Sequence, residues 1–148
     1  MLNVDVNWNG KDLTITCHGP NDGVYVTVGG NGVQVQSQAN VLPYWVGGPR
    51  GCVPGAVESI KVVGSPYHDT IDLTQVPGIF VWNTELTRGS ITVDCTATGP
   101  NLFTGDTIQL GGFGEKADGS PYADTIECGP NGDTVNGGGG ADTITGGA

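Results

Sequence analysis

The triplets Asp124-Thr125-Ile126, Asp133-Thr134-Val135 and Asp142-Thr143-Ile144 stand nine residues apart, and Asp106-Thr107-Ile108 precedes the first by 18 residues. A fixed short period constrains the fold more than any other feature, because each unit must be one structural object stacked on its neighbours. The unit expected between residues 106 and 124 falls at Glu115, within GGFGEKAD, and is a degenerate copy. Upstream, GSPYHDTID (64–72) returns almost letter for letter as GSPYADTIE (119–127). Each unit places a Gly-rich turn before one apolar residue, so a turn followed by a short strand is expected and a helical stripe is not.

The rest of the chain reads the same way. Asp12–Thr16, Val24–Val28, Val33–Gln36, Ser59–Val63, Ile79–Trp82 and Ser90–Val93 alternate with period two, separated by GPND, GGNG, GSPY, TRGS and TGPN. Residues Gln38–Pro54 lack a period and are expected as a long loop or edge segment. The 27 glycines among 148 residues favour turns over long helices. The fold class expected is all-β.

GGGGADTIT (137–145) matches Gly-Gly-x-Gly-x-Asp-x-apolar-x at every defined place, and 119–127 and 128–136 keep the sixth-place Asp and the eighth-place apolar residue. The C-terminal portion, residues 101–148, thus resembles the calcium-binding repeats of RTX (haemolysin-type) proteins. Residues 1–100 then form a β-rich N-terminal portion with degenerate repeats. The resemblance implies a parallel β-roll or β-solenoid in which two units complete one coil, with Ile108, Ile126, Val135 and Ile144 inside it. It also implies calcium on the turns, since that ion takes six to eight oxygens at about 2.3–2.6 Å. Asp106, Asp124 and Asp142 fall on one edge and Asp133 on the other, opposite Glu115. Backbone carbonyls of Gly119, Pro121, Gly137 and Gly139 would join the carboxylates. Pro121 and Tyr122 depart from the family pattern, which has Gly at the fourth place. Asp69 is a further candidate ligand, although an ion-free Asx turn is the simpler account of the isolated Asp22 and Asp69 units.

The implied last coil ends in open strand edges. Either further coils follow in a longer chain, or copies of the molecule stack head to tail through calcium and strand pairing into fibres. The function expected is that of an extracellular or cell-surface structural protein binding Ca2+. The alternative is a calcium-dependent folding or secretion module of a longer secreted enzyme, toxin or adhesin. A carbohydrate-binding role would rest on Tyr67, Tyr122, Trp45 and Trp82 alone.

Composition narrows the partners. Fifteen acidic residues against five basic give a formal charge of −10 and exclude nucleic acid. No apolar run is long enough to span a membrane as a helix. The opening MLNVDVNWNGKD has no signal-peptide pattern, so export would follow another route or earlier processing. Cys17, Cys52, Cys95 and Cys128 have no Cys-x-x-Cys spacing. They are read either as two disulfides in one of three pairings or as small buried apolar residues. A Cys95–Cys128 bridge would staple the roll. His18 and His68 sit in turns with no nucleophile elbow, and no catalytic activity is expected.

Overall fold

The computed structural model describes residues 4–10, 12–19, 22–29, 32–37, 44–45, 59–76, 91–97, 105–112 and 114–147. Thirteen strands are found among them: β1 (Val4–Trp8), β2 (Asp12–Cys17), β3 (Asp22–Gly29), β4 (Gly32–Gln36), β5 (Tyr44–Trp45), β6 (Ser59–Val63), β7 (Asp69–Gln75), β8 (Ile91–Asp94), β9 (Thr107–Gln109), β10 (Lys116–Asp118), β11 (Thr125–Glu127), β12 (Thr134–Asn136) and β13 (Thr143–Thr145). No helix occurs among the described residues, as the all-β expectation required. None is therefore long and apolar enough to cross a membrane.

The strands form two sheets. One has the order β1-β2-β6-β8-β10-β12, and the other β13-β11-β9-β7-β3-β4-β5. From β6 onward, consecutive strands alternate between the sheets, and neighbours within a sheet pair in parallel. Antiparallel pairs occur only upstream, at β1–β2, β3–β4 and β4–β5. The sheets are thus mixed and open, and no closed solenoid is seen among the described residues.

Period-two alternation aims one face of each strand inward. Strand register then aligns the inward residues into two apolar ladders. Ile15, Val62, Val93, Ala117 and Val135 run across the first sheet. Val24, Ile71, Ile108, Ile126 and Ile144 run across the second. Most belong to one buried cluster, each aliphatic side chain contributing about 1.5–3 kcal/mol of transfer free energy. The ladder fades toward β13: Ile126 is fully buried, but Ile144 is 48% exposed. Ile144 is therefore not the core residue expected, because β13 lies at a sheet edge with no strand beyond it to cover the side chain.

One segment departs from the sequence reading, and another takes one of the forms expected of it. β1 was not expected, yet WNGKD supplies an Asn-Gly hairpin turn: Gly10 has φ +100, and the Asn9 side chain accepts from the Asp12 amide at 2.7 Å. Within Gln38–Pro54, β5 pairs with β4, so that segment holds a short edge strand. Ile79–Trp82, with Trp82, and Cys52 lie outside the described residues.

The expected Cys95–Cys128 bridge is not formed, for Cys17, Cys95 and Cys128 are free thiols. Cys95 follows β8 of the first sheet, bonded through its amide to Asp118. Cys128 follows β11 of the second sheet, bonded through its amide to Thr145. The two thiols sit at opposite turn edges. Cys17 and Cys95 share an edge, but the strand β6 separates their strands. Two inter-strand steps of about 4.8 Å exceed the reach of a disulfide.

Candidate functional site: an acidic ladder along one edge

The turns that lead from the first sheet into the second each deliver an aspartate just before or at the start of a strand. Asp22, Asp69, Asp106, Asp124 and Asp142 therefore line one edge in spatial order β3, β7, β9, β11, β13. Their backbones are threaded together by their own carboxylates. The Asp69 amide donates to Asp106 Oδ1 at 2.7 Å, the Asp106 amide to Asp124 Oδ1 at 2.6 Å, and the Asp124 amide to Asp142 Oδ1 at 3.0 Å. The opposite edge repeats the device once, the Glu115 amide donating to Asp133 Oδ1 at 3.0 Å. Glu115 thus stands where the repeat has Asp, its Oε1 also accepting from the Gly111 amide.

Two of these carboxylates close their own turns through a serine. Asp69 accepts from the Ser65 amide at 2.6 Å and from Ser65 Oγ at 3.0 Å, and the Tyr67 amide donates to that hydroxyl oxygen. Asp124 accepts from the Ser120 amide at 2.7 Å and Ser120 Oγ at 2.8 Å, with the Tyr122 amide donating to Ser120 Oγ. The recurring GSPYxD is thus a turn closed by its serine. Sequence reasoning passed over Ser65 and Ser120, though their identity in the two copies was the available signal. Tyr67 is exposed and Tyr122 half-buried, at the rims of their turns.

The turn at 137–142 is built differently. No serine is present, Gly138 and Gly140 take φ of +89 and +90, and the Gly138 amide turns to Asn136 Oδ1. Asp142 is half-buried, whereas Asp22, Asp69, Asp106 and Asp124 are buried. Between the two last turns the oxygens crowd inward. A Cβ on Gly119 would collide with Asp124 Oδ2 and the Gly137 carbonyl, and one on Gly137 would collide with Asp142 Oδ2. The carbonyl of Pro121 lies beside Gly139. The candidate residues Gly119, Pro121, Gly137, Gly139, Asp124 and Asp142 are thereby brought together. Asp106 and Asp69 continue the same edge, and Asp133 lies on the other.

Burial governs the charge of the ladder. Desolvation, reinforced by Asp69 and Asp124 and opposed by the Asp69 amide and His68, pushes Asp106 up to about 7. Desolvation also raises Asp69 to about 6, against the donors of Ser65. The thiols of Cys17 and Cys95 are pushed well above their usual range by burial and then by these carboxylates. His68, the one histidine beside the ladder, bonds through Nδ1 to the Gly105 carbonyl, while His18 pairs with the exposed Asp5 at 2.8 Å.

No family model, curated protein or solved structure matches this chain.

Proposed function

We propose that this chain is an extracellular calcium-binding repeat protein of RTX type, whose C-terminal strands form a β-roll and serve a structural role. The observation that carries the reading is the in-register parallel stacking of β9, β11 and β13, 18 residues apart, with Asp106, Asp124 and Asp142 heading the three strands. That is the coil length the nonapeptide pattern implies. The donor set at the last step suits a hard cation: carboxylates of Asp124 and Asp142 with carbonyls of Gly137 and its neighbours around the space kept open by Gly119. Bound there, calcium would supply charge neutralisation, letting the acidic turns close on one another and coupling folding to the ion. The carboxylates of Asp69 and Asp124 hold their serine turns through the amides and hydroxyls of Ser65 and Ser120. The calcium response therefore falls on the glycine-built turn.

Assembly is the second part of the reading. β12 and β13 are sheet edges, and the half-exposed Ile144 continues the apolar ladder outward. Such an end accepts another coil, either of a longer secreted chain or of a second copy. Light scattering with circular dichroism during a calcium titration separates these. A reversible rise of β signal and particle mass together supports calcium-gated stacking. A rise of β signal alone supports a folding module. If neither signal changes, the calcium reading is overturned.

A further inference from the structure

On the first turn edge, the residues that begin the turns form their own stack, Cys17, Gly64, Cys95, Gly119 and Gly137 in successive strands. Two of the five are cysteines where the repeat pattern asks for glycine. One ligand atom each from Cys17, Asp22 and Asp69 lies within 4.8 Å of the others, and all three side chains are buried, with exposures of 3%, 1% and 0%. A second buried thiol borders the same place from the other side of Gly64. A Cβ on Gly64 would meet Cys95 Sγ at 2.9 Å and Asp69 Oδ2 at 3.1 Å. Both thiols are free, Cys95 is fully buried, and no hydrogen bond engages either sulfur among the described residues. No lysine or arginine forms an ion pair with Asp22 or Asp69 among those residues.

We propose that Cys17, Asp22 and Asp69 form a buried site for a thiophilic divalent cation such as zinc. Sulfur is the deciding donor. Calcium and magnesium take oxygen, whereas zinc and cobalt accept a tetrahedral set of thiolate and carboxylate. The cation replaces the thiol proton, which passes to solvent as the metal–sulfur bond forms, so affinity rises with pH. It also neutralises carboxylates that the fold has removed from water. Asp22 retains the amides of His18 and Gly19 on its Oδ2, both at 2.8 Å, and Asp69 retains Ser65, so both carboxylates are held in place by second partners. The site is independent of the calcium site proposed at the last step, since it uses neither Asp124 nor Asp142 and takes a different class of ion.

Cobalt(II) titration of the reduced, chelator-treated full chain tests this. One equivalent should bind with thiolate-to-metal charge-transfer absorption, be displaced by zinc, and be unaffected by excess calcium. Cys17→Ser should weaken binding by at least about 10-fold, the scale set even by outer-shell partners, while Cys128→Ser leaves it intact. If Cys17→Ser fails to fold, Asp22→Asn takes its place with the same expectation. Absence of the charge-transfer band in the unaltered folded chain overturns the proposal. So does full affinity in Cys17→Ser or Asp22→Asn, or displacement by calcium.

Discussion

The turns at 119–124 and 137–142 occupy successive coils of one edge, yet they are closed in different ways. In the first, Ser120 donates through amide and hydroxyl to Asp124, which also accepts the Asp106 amide. In the second, three glycines replace the serine, proline and tyrosine, and Asp142 accepts the Asp124 amide without a serine in its turn. The same repeat thus closes on a hydrogen-bonded serine in one coil and on glycines alone in the next. Three protein donors are enough to hold a carboxylate in place. On the proposed reading, the glycine turn with its converging oxygens is the one that a cation would complete.

Each coil of this edge can be broken separately. The largest effect should come from the core beneath the turns. Ile126→Ala should cost about 2–5 kcal/mol in denaturant melts, because the side chain is fully buried. Ile144→Ala should cost under about 1 kcal/mol, since nearly half of that side chain is already in water.

Next comes pH. Asp69 and Asp106 have folded values raised to about 6 and about 7, above the ordinary carboxylate value of 3.8. The folded state then holds more protons than the unfolded state above pH 4. The contribution of both carboxyls to stability should therefore be full below about pH 4 in chelator and fall as pH rises, by on the order of 2–4 kcal/mol between pH 5 and 8. Thermal melts across that window check the sign. Asp106→Asn should flatten the slope.

A smaller effect is expected at the aspartates themselves. Asp124→Ala strands the amides of Asp106 and Ser120 together with the Ser120 hydroxyl, and should cost about 1–3 kcal/mol in chelator. Asp142→Ala should cost less in chelator and remove the stabilisation by calcium. The smallest is Ser120→Ala, which deletes one hydroxyl donor and should cost about 1 kcal/mol by urea titration. If it also increases the gain from added calcium, the serine and the ion are interchangeable locks.

Much of this architecture was legible in the sequence. The nine-residue spacing located β9, β11, β12 and β13, and the degenerate unit at Glu115 still formed β10, because Ala117 keeps the apolar place in the ladder. What escaped was long-range. Asp22 and Asp69 read as isolated echoes, since the chain makes excursions of 47 and 37 residues between the ladder positions 22, 69 and 106. Strand register closes those gaps, and no sequence period records it. The cysteines escaped for a related reason. Only the stacking of strand ends reveals that Cys17 and Cys95 flank one glycine, and that Cys128 belongs to the other edge. Ser65 and Ser120 were in plain view, but their role needs the carboxylate four residues on to fold back.

The most direct test of the central claim is calorimetric titration of calcium into the unaltered chain, Asp142→Asn and Asp69→Asn. The account predicts binding to the unaltered chain and to Asp69→Asn, with loss or strong weakening in Asp142→Asn. Equal binding by Asp142→Asn, or no binding by the unaltered chain, would contradict it.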